Sequence, residues 1–330
     1  MKNKQVLLAR RPHGAVVEDD FRIVETEVPP VGEGQVLTRV HYLSLDPYMR
    51  GRMDESKSYA APQPLGEVMI GGTVAEVIES KNPKFKPADF VVGMAGWQQF
   101  QVTGGTELRK IDISVIPPSA YLGAVGMPGV TAWYGFTQIG KPKQGETVVV
   151  SAAAGAVGSV VGQLAKLCGC RVVGIAGGKN KCDLVPGEFG FDACIDYKAE
   201  SFKADFRAAT ANGVDIVFEN AGGMTLDAAL SRMNAFGRIA LCGVIAGYNG
   251  QPIPIQNVRS ILVNRLLFQG FIVTDHMELW PKALAELAQH VAAKRIRCRE
   301  TVAEGLSSAP RAFIGLLRGE NVGKQLVKLV

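Results

Sequence analysis

Hydrophobic patterning divides the chain into three stretches. Up to about residue 120, short runs rich in β-branched and aromatic residues recur: VLLAR at Val6–Arg10, VLTRVHYLSL at Val36–Leu45, GGTVAEVIES at Gly71–Ser80 and DFVVGMAGWQQFQV at Asp89–Val102. Joins rich in Gly and Pro separate them: PPVGEG at Pro29–Gly34, APQPLG at Ala61–Gly66 and NPKFKP at Asn82–Pro87. This punctuation predicts the strands of a small barrel-like domain.

From about residue 121 to 275 the pattern changes. VVVSAA (Val148–Ala153) leads through a Gly-containing turn into a helical stretch, Ala156–Leu167, and then RVVGIA at Arg171–Ala176. ACIDY (Ala193–Tyr197), VDIVFEN (Val214–Asn220), GRIALCG (Gly237–Gly243) and LFQGFIV (Leu267–Val273) follow, most of them separated by helix-compatible segments. Apolar strands alternating with helices predict βαβ units and a parallel sheet. The last stretch predicts a helix at Met277–Lys294, a short strand near Arg297–Thr301, a helix at Ser308–Arg318 and a final strand in QLVKLV that returns to the first domain.

A length of 330 residues suits two domains. Lys plus Arg total 36 against 31 for Asp plus Glu, a net charge of +5. That excess is mild and holds no long basic run, so no nucleic-acid surface is indicated. No apolar run approaches the roughly 18 residues of a membrane span. Val6–Ala9 is too short for a signal peptide, and the expected address is the cytoplasm. All six cysteines lie in the second half, without the spacing of a structural zinc site, and read as reduced thiols.

The strongest chemical signal is SAAAGAVGSVVGQLAK, Ser151–Lys166. It follows a strand and opens a helix, as a dinucleotide fingerprint requires. Ala153 stands where the first Gly usually sits. Gly155 admits a pyrophosphate close to the backbone, and Gly158 lets helix pack on strand. The end of the next strand selects the cofactor. NAD binding usually places an acid there, but RVVGIAGGKNKC (Arg171–Cys182) has none before Asp183 and carries Lys179 and Lys181 instead. An ammonium attracts a 2′-phosphate, so NADPH is expected; a solvated loop with incidental lysines is the competing reading.

Several segments together resemble a known family: LDPYMRGRM (Leu45–Met53), GMPGVTAWYGF (Gly126–Phe136), the fingerprint, FENAGG (Phe218–Gly223), Cys242–Asn249 ending in Tyr-Asn, and GENVGK (Gly319–Lys324). They look like the zinc-independent branch of the medium-chain dehydrogenase/reductase superfamily. Within it, the match is to the NADP-dependent alkenal/one oxidoreductase group of prostaglandin reductases, plant double-bond reductases and bacterial curcumin reductases. The resemblance spans essentially the whole chain. It implies an α/β architecture: a GroES-like partial β-barrel catalytic domain over residues 1–120 and 300–330, and a Rossmann doubly wound parallel-sheet domain binding NADP over residues 121–299. Zinc-containing relatives use a Cys and a Gly-His-Glu segment as ligands. Here HYLSLDPYM has no Cys and LGE (Leu65–Glu67) has no His, so no metal site is expected, and His41 is read as an ordinary domain residue.

The resemblance also assigns roles. Gly155, Ala156, Val157 and Gly158 would hold the pyrophosphate. Lys181 aligns with the family's lysine on the 2′-phosphate. Gly178 stands where many members carry a Ser for that phosphate, and Lys179 is the candidate replacement. Tyr197 aligns with a tyrosine near the adenosine, and Asn220 with a cofactor contact. Cys242, Gly243, Val244, Ile245 and Tyr248, with Phe271, Ile272 and Val273, would line the nicotinamide half. Met127 and Thr131 would abut the nicotinamide, and Asn321 would reach the cofactor from the C-terminal segment.

The implied reaction is conjugate reduction of a small α,β-unsaturated aldehyde or ketone. Hydride adds to the β-carbon, an O–H donor stabilises the enolate oxygen, and a proton reaches the α-carbon. Tyr248 is the first candidate donor; a ribose hydroxyl or water is the alternative. Tyr48 is a candidate wall or second hydrogen bond, and Arg50 and Arg52 either steer an anionic tail or serve as ion-paired scaffold. Competing functions are a quinone oxidoreductase, more weakly a secondary-alcohol dehydrogenase, and, outside enzymes, an NADPH-binding sensor or structural protein. Relatives commonly form homodimers through the Rossmann domain, and a homodimer is expected.

Overall fold

A computed structural model describes residues 1–330. The chain forms two compact units, Met1–Leu122 with Glu300–Val330, and Gly123–Arg299.

The first unit is built on β-strands. β1 (Lys2–Leu8) and β2 (Phe21–Glu27) form an antiparallel ribbon. The larger sheet contains β3 (Val36–Ser44), β4 (Thr73–Ser80), β5 (Phe90–Gly93), β6 (Phe100–Thr103), β7 (Arg109–Lys110), β14 (Glu300–Glu304) and β15 (Lys324–Lys328). Its order is β14-β15-β3-β4-β5-β7, with β6 also on β3. β15 runs antiparallel to β3, pairing Val327 with Leu43, so the final strand does return to this sheet. The expected run Asp89–Val102 splits into β5 and β6. Gly96 breaks it with φ +77°; a Cβ there would lie 2.6 Å from the Met69 carbonyl oxygen.

Aromatic packing closes this core. Phe21 stacks on Trp97 at 5.3 Å, and both meet Phe313 edge-on. Phe313 lies on α9 (Ala309–Leu317), which opens with Pro310 in its first turn. Helix α1 (Tyr48–Arg52) begins just after Asp46–Pro47. The buried Lys324 ammonium secures that turn by donating to the Leu45 and Gln325 carbonyls and to Asp46 Oδ1 at 3.1 Å. Ser44 donates to the other Asp46 oxygen. A buried charge needs such partners, so this network fixes the backbone that presents Tyr48.

The second unit is a parallel sheet with helices. Its strands are β8 (Thr147–Ser151), β9 (Arg171–Ala176), β10 (Ala193–Asp196), β11 (Val214–Glu219), β12 (Met233–Leu241) and β13 (Leu267–Gly270). All pairs are parallel, in the order β10-β9-β8-β11-β12-β13. The helices are α2 (Met127–Tyr134), α3 (Gly158–Leu167), α4 (Lys179–Phe189), α5 (Phe202–Ala209), α6 (Gly223–Leu230), α7 (Arg259–Val263) and α8 (Trp280–Ala292). Val148, Val149 and Val150 on β8 are wholly buried, which is why this strand reads as an unbroken apolar run. Strand order reverses between β8 and β11. In such sheets ligands bind outside the carboxyl ends of the strands at that point.

Among the boundaries that differ from the expected ones, three have a visible cause. α3 starts at Gly158 because residues 152–157 form the turn. The helix expected from Met277 starts at Trp280, after a non-helical His276 (φ −128°, ψ 46°) and with Pro281 in its first turn. The strand expected at Arg297–Thr301 begins at Glu300, because Arg297 is held by Gln163 through two hydrogen bonds. No helix is long and apolar enough to cross a membrane.

Candidate active site

The fingerprint turn is built by close backbone approach. Ala152 takes a left-handed φ of +49°, and its carbonyl accepts the Gly155 N–H at 2.9 Å. A Cβ on Gly158 would sit 2.4 Å from that same oxygen, so α3 packs against the turn only with glycine there. Ala153 fits in place of the usual first Gly because Gly174 faces it from β9, where an added Cβ would meet Ala153 Cβ at 2.8 Å. No side chain caps α3. Gly155, Ala156 and Val157 stay half-buried at a helix N-terminus, a place suited to a pyrophosphate.

Across the reversal point, Ser151 ends β8 and Glu219 ends β11. Glu219 Oε1 accepts the Ser151 hydroxyl (2.6 Å) and the Ala221 and Gly222 N–H groups (2.8 and 2.7 Å). The Ser151 hydroxyl oxygen accepts the Asn220 N–H at 2.8 Å. The Asn220 side-chain amide donates to the Ser151 carbonyl, also at 2.8 Å. With its NH2 so engaged, Asn220 presents Oδ1 as an acceptor. Neither Ser151 nor Glu219 stood out in the sequence. The usable signal was a polar residue closing an otherwise apolar buried strand.

Glu219 is fully buried, and its Oε2 has no partner. Burial pushes its carboxyl above the ordinary range despite the donors on Oε1. The folded chain therefore holds a proton that the unfolded chain releases as pH rises from the ordinary carboxyl range. Folding stability contributed here falls with rising pH until the folded carboxyl itself ionises. Glu219→Gln is expected to be more thermostable relative to the parent at pH 8 than at pH 5. Melting curves at both values test this, and an equal difference at both would rule it out.

Beyond Glu219, β12 leads into the proposed nicotinamide wall. The Cys242 and Gly243 N–H groups both reach the Glu219 carbonyl. Burial pushes the Cys242 thiol up to about 12, so it is no nucleophile near neutral pH. A single 3₁₀ turn, Ile245–Gly247, then carries Tyr248, whose hydroxyl lies 3.4 Å from where a Gly243 Cβ would be. Phe271, Ile272 and Val273 leave β13 and turn inward. Phe271 packs on Phe218 and on Tyr134, and Tyr134 stacks on His276 and shares a 2.7 Å hydrogen bond with it. Met127 and Thr131 lie one turn apart on α2, and the Thr131 hydroxyl donates to the Met127 carbonyl.

The adenosine end follows β9. The strand closes on Ala176 and Gly177, and no acid follows in its own sequence before Asp183. Gly178 takes φ +93°, and its N–H is held by Asp196 Oδ1 at 2.8 Å. Lys181 is half-buried in the first turn of α4, and burial followed by the neighbouring Lys198 charge lowers its pKa. Tyr197 lies over Gly177, its ring 2.9 Å from the position of an added Cβ. These residues fit a dinucleotide carrying a 2′-phosphate. Lys179, the expected replacement for the missing Ser, is instead paired with Asp183 one helical turn on, at 2.7 Å.

Tyr48 and Asn321 belong to the first unit. Tyr48 is largely buried, and burial, then Asp46, raises its pKa, so its O–H persists through the working pH range. Asn321 donates to the Gly323 carbonyl. Arg50 is scaffold: it pairs with Asp54 at 2.7 Å and donates to the Gly14 carbonyl. His41 meets Glu76 at 3.1 Å. No three His, Cys, Asp or Glu side chains are grouped as metal ligands.

Residues 4–111 match the family described as the N-terminal domain of oxidoreductase, and residues 156–289 the one described as zinc-binding dehydrogenase. The NADPH-dependent curcumin reductase of Escherichia coli (strain K12) is 44% identical, over 99% of this chain and 97% of the relative. The NADP(+)-dependent 2-alkenal reductase of Nicotiana tabacum is 43% identical over 99% and 97%. The crystal structure of CurA from Vibrio vulnificus in complex with NADPH has a TM-score of 0.95 and 43% identity, with 99% of each chain covered. Full-length likeness at this identity, on a parallel-sheet unit and a separate β unit, means that the chain belongs to the medium-chain dehydrogenase/reductase superfamily, within its group of NADPH-dependent alkenal and curcumin reductases.

Proposed function

We propose that this chain uses NADPH to reduce the C=C bond of α,β-unsaturated aldehydes and ketones. The observation that carries the reading is the tyrosine hydroxyl of Tyr248 beside Gly243, at the carboxyl end of a cradle shaped for a dinucleotide with a 2′-phosphate. The relatives' names agree, since 2-alkenals are α,β-unsaturated aldehydes.

When bound, NADPH supplies the hydride for the β-carbon. The chain does the rest. The Gly155–Gly158 turn and the N-terminus of α3 would hold the pyrophosphate, and Asn220 would contact the cofactor beside them. Phe271, stiffened by Phe218 and Tyr134, limits the nicotinamide wall and keeps water away. Tyr248 donates its O–H to the carbonyl oxygen, on which negative charge develops as the β-carbon is reduced. One proton then passes from the Tyr248 hydroxyl, itself reprotonated from water, to the α-carbon, so the product gains one hydride and one proton across the former double bond. Tyr48 is the second candidate hydroxyl.

The reading extends to a homodimer. β13 is the outer strand of its sheet; its first residue, Leu267, is 44% exposed, and Val258 and Leu262, at and within the preceding α7, are 59 and 79% exposed. An open edge next to apolar side chains suits a second copy.

The test follows NADPH oxidation at 340 nm with a 2-alkenal, with NADH and a quinone in parallel, and identifies products by mass. A saturated aldehyde formed with NADPH preferred is expected. Turnover of quinone alone, or a product with its carbonyl reduced and double bond intact, overturns the reaction. No turnover despite tight NADPH binding favours a sensor. Sedimentation velocity on the same preparation reads the dimer, and a monomer at micromolar concentration removes that extension.

A further inference from the structure

Lys198 follows Tyr197 at the end of β10, and the geometry turns it back toward the Gly177–Gly178 bend. Its Cε would lie 3.1 Å from a Cβ on Gly177, beside the Tyr197 hydroxyl at the same distance. Its N–H and that of Gly178 both donate to Asp196 Oδ1, at 2.9 and 2.8 Å, which ties the two segments together. The ammonium rests 5.9 Å from the Tyr197 ring centroid and forms no ion pair with a carboxylate. From the other side of the bend, Lys181 rises out of the first turn of α4. Burial first, and then the Lys198 charge, lowers the pKa of the Lys181 ammonium. Two cations brought together repel one another, and a bound dianion reverses the sign of that energy. Lys179 is paired with Asp183 at the exposed start of α4, at 2.7 Å.

We propose that Lys198 is the second cation of a 2′-phosphate site, acting with Lys181 over Gly177–Gly178 and setting the preference for NADPH over NADH. The inference rests on the reading that this chain uses NADPH. Lys198 and Lys181 would then meet the phosphate by charge, beside the Tyr197 hydroxyl.

The test is equilibrium titration calorimetry of NADPH, NADH, 2′-AMP and 5′-AMP with the parent chain, Lys198→Gln and Lys198→Arg. Loss of one charge-assisted contact is expected to weaken NADPH and 2′-AMP about 10-fold in Lys198→Gln. NADH and 5′-AMP should stay within about twofold. Lys198→Arg should restore most of the difference, and the salt dependence of NADPH binding should be shallower in Lys198→Gln than in the parent. Equal weakening of NADPH and NADH, or unchanged NADPH binding, overturns the role of Lys198. If the parent itself binds NADH as tightly as NADPH, the cofactor reading falls and this site with it. A parent that prefers NADPH and a Lys198→Gln variant that keeps the full preference refute Lys198 alone.

Discussion

Gly158→Ala is expected to cost about 100-fold or more in NADPH affinity and about 1–3 kcal/mol of stability. The added Cβ would lie 2.4 Å from the Ala152 carbonyl oxygen and 3.0 Å from both the Ala152 carbonyl carbon and the Ala153 Cα. These are backbone atoms of a turn already held at a left-handed φ, so no side chain can swing aside. Either α3 lifts off β8 or the turn opens. Both move the uncapped helix N-terminus from its place over the phosphates, and ångström-scale misplacement of a binding group is costly. Gly155 provides the contrast. Its Cβ would meet only the Ala152 oxygen, at 3.1 Å, so Gly155→Ala should lose less. Gly187, inside α4 with open space around it, is the control, and its replacement by Ala should stabilise by about 0.5–1 kcal/mol. Fluorescence titration with NADPH and thermal melts read all three. A Gly158→Ala variant binding within about threefold of the parent would show that the helix end is not what holds the pyrophosphate.

The contrast between these glycines also shows what a sequence can disclose. The turn after β8 was legible because its function depends on spacing: strand, two glycines three apart, helix. Spacing survives without coordinates. The return of β15 to β3 was legible only as a short strand-like ending, QLVKLV, expected to rejoin the first domain; its partner strand was not. β2, FRIVETE, carries no apolar run to mark it, because nearly all of its side chains face outward and only Phe21 is buried. The Ser151–Glu219 contact joins residues 68 apart, and the Tyr134–His276 stack joins residues 142 apart. Neither pairing leaves a local pattern. Lys179 and Lys198 illustrate the limit at close quarters. Both are lysines near the end of a strand, but Lys179 pairs on the surface with the acid four residues on, an i,i+4 pairing that helix geometry makes readable only once α4 is known to begin there.

Tyr248→Phe is expected to lower kcat for enal reduction by about 100- to 1,000-fold, while NADPH affinity changes by less than about twofold. The substitution removes one oxygen and leaves the ring, so the packing of the Ile245–Gly247 turn is kept. That oxygen sits beside Gly243, whose N–H is bound to the Glu219 carbonyl and whose Cβ position lies 3.2 Å from the Asn220 carbonyl oxygen. The hydroxyl is therefore carried at the carboxyl ends of β11 and β12, on a backbone tied to the main-chain carbonyl of Glu219. A donor so placed needs little reorganisation when charge appears on the substrate oxygen, which is the condition for a large effect on kcat rather than on binding. Tyr48→Phe separates this role from simple pocket shape. If Tyr48 only lines the substrate side, its loss should raise KM by about 3- to 10-fold and leave kcat nearly intact. Steady-state kinetics on both variants, with NADPH titrations alongside, distinguish the two tyrosines. A Tyr248→Phe enzyme that keeps kcat within about threefold of the parent would assign proton donation to a ribose hydroxyl or water. Tyr248 would then be a positioning residue, and the loss would appear in KM instead.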